Sequence, residues 1–437
     1  MQVELTGEYE QTPLVTAENG ESVVTPIGVV VRLRYAGTRS TLAVSVTAVY
    51  FHAVGKNSNT GAERILTMEI EAAVVREQEG PFEIESLTLE DPRQKEVLVR
   101  IVGTGICHTD LTVRDGNYPP DPPVVLGHEG AGVVESVGNR VAAVEPGDRV
   151  ALTFNYDGTC PNCRQGAVAY CESFFEQNFG GARFEDDSSP ISDTGDPINA
   201  NFFGQSSFAT HAIAHEENVI PVTDDLPLEL AGPLGCGVQT GAGAVMNSLT
   251  VTPGSSLVVF GTGTVGLSAI MAGQVVGATD IIAVDLVDSR LELASDLGAT
   301  MTVNPQSVDD VVETVRKATD NGADYAVEST GVTDVLRQAF DSLAKLGTVG
   351  VPGAPPLGTE VSLDVNSFVT TGRSVRGVTE GDSYPKEFIP TLIDLYQQGR
   401  FPFDEFVEYY EFEDIDNAVE DVENGETIKP ILRMSDA

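Results

Sequence analysis

Lysine is what this chain most plainly goes without: it supplies only 6 of the 25 basic residues, against 66 aspartates and glutamates and a formal net charge of −41. Such a surface repels nucleic acid and anionic membranes, which excludes both as partners. The carboxylates are spread along the sequence rather than gathered in a tail. That pattern suits a halophilic protein, kept solvated in very high salt where the screening length is short. An unbroken apolar span is also missing. One run of 50 uncharged residues, Leu230 to Thr279, is interrupted by glycines and by Pro233 and Pro253. It reads as a buried strand, a tight loop and helices lining a cleft, not as a membrane span. With no signal peptide or lipidation motif in view, the expectation is a soluble, cytoplasmic protein. Cysteine and histidine number five each, and an odd cysteine count in an intracellular chain argues against a disulfide framework.

At 437 residues and 41% apolar content the chain is long enough for at least two packed cores. The acidic excess is uneven. Residues 1–67 hold 6 acidic and 5 basic residues, net −1, whereas residues 68–437 hold 60 and 20, net −40. The first segment therefore has a foreign composition. A mis-assigned start, with initiation at Met68, accounts for it. A β-rich accessory extension is the other account, since GVVVRLRYAG and STLAVSVTAVYF alternate well enough to pair as strands.

Within the uncharged run, SSLVVFGTGTVGLSAIMAGQVVGA predicts a strand over Leu257 to Phe260, then Gly261, Gly263 and Gly266, then a helix. A second strand, IIAVD, ends on Asp285, 19 residues after Gly266. A strand, a G-x-G-x-x-G turn, a helix and a later acidic residue together form the context of a dinucleotide site. The glycines would give a tight turn, close approach of the backbone to a pyrophosphate, and close helix–strand packing. Asp285 favours NAD over NADP, because a carboxylate accepts ribose hydroxyls and repels a 2′-phosphate. Arg290 either joins the adenosine ribose region or is a solvated helix residue. Further on, ADYAVES predicts a strand, VTDVLRQAFDSLAKL an amphipathic helix and GTVGVPG a strand, the punctuation of a doubly wound parallel sheet.

The cysteines fall into two sets. Cys107, in GICHTD, and Cys236, in PLGCGVQ, go with His128, in GHEG; Cys160, Cys163 and Cys171 go together in DGTCPNCRQGAVAYC, where C-x2-C is a common zinc spacing. Any one buried cysteine is most simply a small hydrophobe, but five with such neighbours point to metal.

GICHTD, GHEGAGVVESVG, the D-x2-C-x2-C-x7-C lobe, PLGCGVQTGAGAV and the glycine motif follow in the order and spacing of the zinc-dependent medium-chain alcohol dehydrogenases. The chain resembles that family from about residue 68 to residue 437. VDSRLELASDLGA, FFGQSSFATHAIAHEENV and GETIKPILRM look most like its aryl-alcohol (benzyl-alcohol) dehydrogenases. The resemblance implies an α/β protein in which a GroES-like, mostly β catalytic domain, residues 68–237 completed by 378–437, flanks a Rossmann domain, residues 238–377. It implies a catalytic zinc on Cys107, His128 and Cys236 with a position left for the alcohol, and a structural zinc on Asp157, Cys160, Cys163 and Cys171. Asp110 would orient the His128 ring, Glu129 would sit behind the metal, Thr109 would offer its hydroxyl to the substrate oxygen, and His108 would approach the pyrophosphate. The partners implied are an alcohol and its aldehyde, with NAD as cofactor and a homo-oligomer, dimer or tetramer, as the assembly.

Two departures qualify the likeness. Thr112 stands where many relatives have a relay histidine, and threonine is no base near neutrality. Asp157 replaces the first lobe cysteine, a harder ligand that leaves open whether the lobe is loaded or holds three reduced thiols. His211 and His215 match no ligand position. Tyr118 and Phe154 are either pocket walls or core, so benzylic, allylic and medium-chain primary alcohols all stay open. Zinc-free quinone or enoyl reductases of the same fold lack the Cys107, His128, Cys236 set. Polyol and sugar dehydrogenases often carry a carboxylate where this chain has Cys236, and a protein that merely binds NAD would have no use for the set or for Thr109.

Overall fold

The computed structural model describes residues 67–434, together with Val15–Thr16 and Ser22–Val23. The chain divides into two units, Met1–Arg64 and Ile65–Ala437. In the first, Val15–Thr16 pairs antiparallel with Ser22–Val23. The two strands expected in GVVVRLRYAG and STLAVSVTAVYF, and with them the question of the extension, lie outside the described residues. Met68 is the second residue of the strand Thr67–Val75.

In the second unit, two largely antiparallel sheets form first. Thr67–Val75 pairs with Phe82–Glu90 along its whole length. Its side chains alternate: Ile70, Ala72 and Val74 enter one apolar cluster, Ala73 and Val75 another, as the two-residue period of a strand requires. The strand Glu96–Gly105 does the same in the neighbouring sheet, with Val97, Val99 and Ile101 on one side and Leu98 on the other. It is the organising strand there, pairing with Gly130–Val137, His211–His215 and Lys429–Arg433.

The third sheet has six strands, all parallel. Its order is Met301–Val303, Asp280–Val284, Ser256–Phe260, Ala323–Glu328, Leu343–Val351, Ser374–Gly377, so the chain starts in the middle and winds outward in both directions. All five residues of Ser256–Phe260 are buried. Leu257 and Val259 face one core cluster, Val258 and Phe260 the other, which explains why a central parallel strand reads as a continuous apolar run. One sequence expectation needs correcting. The helix predicted across 332–346 stops at Asp341, and Leu343 already begins the next strand. Leu343 is fully buried and pairs with Ala323, whereas Leu346 bulges outward at φ 69°. The pull of the sheet on Leu343 outweighs helical periodicity. Among the described residues no helix is long and apolar enough to cross a membrane.

The chain ends by returning to its beginning. Lys429–Arg433 adds antiparallel to Glu96–Gly105, with Ile431 opposite Gly105. This buries Lys429, 2% exposed, where its ammonium donates to the Ile106 carbonyl at 2.8 Å and to Glu129 Oε2 at 2.7 Å. Removing one partner of such a buried pair strands the other charge. Lys429→Met should therefore cost about 3–5 kcal/mol, read as a lowered urea midpoint at unchanged m-value. Glu129→Gln in the same chain should recover more than half of that loss, and a double variant as unstable as the single one would refute the pairing argument.

Candidate active site

Three loops bring the first cysteine set together. Cys107 is the N-cap of the helix His108–Arg114, His128 precedes the strand Gly130–Val137, and Cys236 caps the helix Gly237–Gly243. Ligand atoms of Cys107, His128, Glu129 and Cys236 lie within 4.8 Å of one another. Asp110 joins two of the loops. Its Oδ2 accepts the Cys107 amide at 3.0 Å, and its Oδ1 accepts the Gly127 amide at 3.1 Å and lies 2.9 Å from His128 Nδ1. That bond orients the ring so that Nε2, buried and without a hydrogen-bond partner, is free to face the thiols; burial would lower the imidazole, but Asp110 and Cys107 outweigh it and raise it well above its usual value. The neighbouring Cys236 thiol, helped by His128, holds the Cys107 thiol well below its usual value against its burial, and Cys107 together with burial pushes Cys236 up. One imidazole lone pair and two thiols, one of them readily ionised, are a donor set that fits zinc.

The surroundings hold this set still. Glu129 Oε1 accepts the Gly237 amide at 3.1 Å, while its other oxygen meets Lys429. Gln205 donates to the His128 carbonyl at 2.9 Å. Phe203 stacks on the His128 ring with centroids 4.6 Å apart, and Phe202 meets it edge-on at 5.4 Å. Both phenylalanines come from a turn with left-handed backbone at Asn201 and Phe203. Thr109 Oγ1 is 3.8 Å from Cys107 Sγ, at the mouth of the cluster. His108 is exposed one residue earlier, and its carbonyl accepts the Thr112 hydroxyl at 2.9 Å. Thr112 thus serves its own helix.

Sequence reasoning missed Glu380. This buried carboxylate comes from the loop after the last parallel strand, and its Oε1 lies 3.8 Å from Cys236 Sγ. Burial pushes it up to about 8, with His128 opposing and Cys107 and Glu129 adding to the rise. Nothing in VRGVTEGDSYP marks it beforehand, because its position depends on the docking of a loop distant in sequence from both cysteine sets. Lys429 and the Phe202–Phe203 pair carried a signal only as parts of GETIKPILRM and FFGQSSFATH.

The second set also converges, with ligand atoms of Asp157, Cys160, Cys163 and Cys171 within 4.8 Å of one another. Asp157 Oδ1 accepts the amides of Thr159 and Cys160, the latter at 2.7 Å, and Oδ2 lies 3.3 Å from Cys171 Sγ. Its partial burial alone would raise it, but the two amides outweigh that and hold it at about 2. A charged oxygen beside three thiols is a donor set that zinc accepts, with one harder ligand.

The glycine motif lies between the strand Ser256–Phe260 and the helix Thr264–Val276. Gly261 has φ 86°, and a Cβ there would meet Thr330 and Ser329 at 2.8 and 2.9 Å. A Cβ on Gly266 would lie 1.8 Å from the Gly261 carbonyl, so this glycine sets the turn-to-helix packing. Gly263 has nothing within 4 Å of that point. One glycine of the three faces open space, as a bound diphosphate would require. Asp285 lies beside the turn, its Oδ2 accepting the Thr262 amide at 2.7 Å and hydroxyl at 2.9 Å. Arg290 reaches the returning C-terminal segment near Gly425, its Nε buried without a partner.

Of the aromatic candidates, Phe154 is fully buried between Tyr156 and Phe174 and belongs to the core. Tyr118 is half-buried. Its ring lies 5.6 Å from Phe179, which packs 5.1 Å from Phe203, so a chain of rings leads from Tyr118 to His128. Its hydroxyl donates to the Pro355 carbonyl of the dinucleotide-domain loop at 2.9 Å. His211 lies in the strand His211–His215 and meets Glu135 at 3.4 Å, away from both cysteine sets.

The family described as "Alcohol dehydrogenase GroES-like domain" matches residues 93–224, and "Zinc-binding dehydrogenase" matches residues 264–398. A protein named geraniol dehydrogenase, from Castellaniella defragrans, is 44% identical over 362 residues, covering 83% of this chain and 97% of its own length. The crystal structure of an alcohol dehydrogenase zinc-binding domain protein from Burkholderia ambifaria superimposes with a TM-score of 0.83 at 53% identity, over 85% of this chain and all of that one. That of a benzyl alcohol dehydrogenase from Acinetobacter calcoaceticus gives 0.82 at 48% identity, over 84% of this chain and all of that one. This chain belongs to the zinc-dependent medium-chain alcohol dehydrogenases, the oxidoreductases that work with zinc and NAD.

Proposed function

We propose that the protein oxidises a primary alcohol, aryl or benzylic, to its aldehyde with NAD as hydride acceptor, and runs the reverse reaction as well. The observation that carries the reading is the unpartnered His128 Nε2, buried in one cluster with the thiols of Cys107 and Cys236, while Asp110 holds the other ring nitrogen. Cys107, His128 and Cys236 would hold zinc, which when bound polarises the alcohol oxygen so that hydride can pass to NAD. Thr109 would offer its hydroxyl to the substrate oxygen as a hydrogen-bond partner at the start of the proton path, and Glu129, neutralised by Lys429, would support the ligands from behind. Gly261, Gly263 and Gly266 would seat the diphosphate, with Asp285 and Arg290 on the adenosine ribose and His108 toward the pyrophosphate. Asp157, Cys160, Cys163 and Cys171 would hold the structural zinc. Residues 68–237 and 378–437 would form the catalytic domain and residues 238–377 the dinucleotide domain.

The aryl preference is supported by the ring series from Tyr118 to His128 and by the neighbour named for benzyl alcohol. The relative named for geraniol supports a second reading, an allylic alcohol. Both substrates place a π-bonded carbon beside the carbinol, which a ring-lined path accepts equally well. A homo-oligomer is supported by an exposed sheet edge. The outermost parallel strand, Ser374–Gly377, carries Val375, and the nearby helix Val365–Thr371 presents Val365 and Val369 at 73% and 78% exposure. Free thiols at all five cysteines suit the cytoplasm.

Cys236→Ser should lose the catalytic zinc and at least about a hundredfold in kcat, with NAD binding retained, since a neutral hydroxyl is a poor zinc ligand. Zinc content, NADH absorbance and cofactor titration are the measurements. Near-normal turnover in a variant shown to lack that metal would remove the assignment. For the cofactor, kcat/KM should favour NAD over NADP, and Asp285→Ser should shrink that preference by about tenfold or more. An NADP preference in the native protein would count against Asp285. Finally, activity should rise at least about tenfold from dilute buffer to molar salt, as the Debye length shrinks to about 3 Å. Full activity and stability in dilute buffer would end the halophilic reading.

A further inference from the structure

The segment that follows the last parallel strand contains three consecutive residues with left-handed backbone: Glu380 at φ 48°, Gly381 at φ 65° and Asp382 at φ 50°. Only the middle one is a glycine. A non-glycine residue keeps such a conformation when its surroundings over-determine it, and such turns cluster at functional sites. Here both flanking side chains are engaged. Asp382 Oδ2 pairs with Arg376 at 2.6 Å, and Asp382 Oδ1 lies 2.6 Å from the Tyr170 hydroxyl. The same hydroxyl is 3.0 Å from the Gly377 carbonyl, so one phenolic proton ties both ends of the turn.

Glu380 points inward. Its Oε2 accepts from Thr240 at 3.4 Å and Gln239 at 3.5 Å, and its Oε1 meets Cys236 Sγ. The Gly381 carbonyl accepts from Asn247 at 3.1 Å, and the Ser383 hydroxyl donates to Gln239 Oε1 at 2.6 Å. Gln239 in turn donates to Thr153, which donates to the carbonyl of Gly235, the residue before Cys236. At the other end, Tyr170 closes the short turn Val168–Tyr170 immediately before Cys171 of the cysteine lobe. The two cysteine sets, far apart in sequence, are joined by an unbroken path: Cys171, Tyr170, Asp382, the left-handed turn, Glu380, Cys236.

We propose that Tyr170 is a positioning residue for the catalytic metal: the lobe holds the 380–382 turn through its hydroxyl, and the turn holds Glu380 against the third ligand, Cys236. The inference rests on the reading that Cys107, His128 and Cys236 bind that metal. With Tyr170 in place, the Cys236 side chain is confined on the side facing the 380–382 turn. Without it, the strained turn relaxes, Glu380 withdraws, and the thiol gains freedom that the bound metal must then restrict.

The test uses the full-length, metal-loaded protein with cobalt in place of zinc, following loss of thiolate-to-cobalt absorption to a chelator in excess. The release phase that is missing in Cys236→Ser belongs to the triad. If no phase is missing there, the triad reading itself fails, whatever the other variants do. Tyr170→Phe keeps the ring and removes only the hydroxyl; Asp382→Asn keeps the size and weakens the same contact. Each should speed the triad phase by about threefold to tenfold, below the effect of losing a group that touches a ligand directly. The double variant should be no faster than the faster single variant, because both act on one contact. In Asp382→Asn, which touches no lobe ligand, the lobe phase should stay within about twofold of the native rate. An unchanged triad phase in both single variants, additive effects in the double, or equal acceleration of both phases in Asp382→Asn would overturn the proposal. The last outcome is what general loosening of the fold would give.

Discussion

Two oxygens of one buried carboxylate hold the catalytic centre in register. Asp110 accepts the amide of Cys107, the amide of Gly127 and the ring of His128, all at 2.9–3.1 Å. It therefore fixes the loop of one ligand, the loop of a second, and the orientation of the imidazole between them. The group is fully buried, so its hydrogen bonds face no competition from water. Metal affinity, ring orientation and the placement of Thr109 one residue away follow from how well this single carboxylate is satisfied.

A second constraint operates from behind. Glu129 follows His128 in sequence and is buried with it, so its charge had to be met inside the protein. The match comes from Lys429, about three hundred residues later, which also closes the organising sheet. The last strand of the chain is thereby tied to the site's electrostatics. Glu380 approaches the same cluster from the loop after the strand Ser374–Gly377, so a second buried carboxyl group, pushed up to about 8 by its burial, faces the thiols. A divalent cation held by the cysteines and His128 would offset this negative charge, and its binding free energy would be coupled to the order of the folded site.

Three contacts between segments distant in sequence gather around this cluster. Tyr118 reaches the Pro355 carbonyl, Tyr170 reaches Asp382, and Glu380 reaches Cys236. All three contacts come from loops rather than from sheets or long helices. Loops tolerate change and carry function because a rigid scaffold holds their ends. Here the scaffold is the six-stranded parallel sheet on one side and the strand Glu96–Gly105 with its partners on the other.

Much of this was legible in the sequence. Both cysteine sets, His128, Asp110 and the glycine turn sit within short motifs, where local spacing already limits which groups can meet. The separate functions of Gly261, Gly263 and Gly266 follow from their positions relative to one strand and one helix. The parallel order of the sheet follows from alternating elements with short connections. The tertiary structure alone decided the rest. It ended the 332–346 helix early, because Leu343 gains more from pairing with Ala323 inside the sheet than from one more helical turn. It assigned Phe154 to the core and brought Phe203 onto His128 through a left-handed turn. It placed Glu380 and Tyr170 at the two ends of one path, and Lys429 under Glu129. Each of these depends on groups distant in sequence that meet only after the sheets have formed, and no local pattern records a partner on another domain. The sequence by itself determined which donors exist and how the nearest of them are spaced; burial, which strips away water and makes each unpaired charge costly, decided which distant group answers each one.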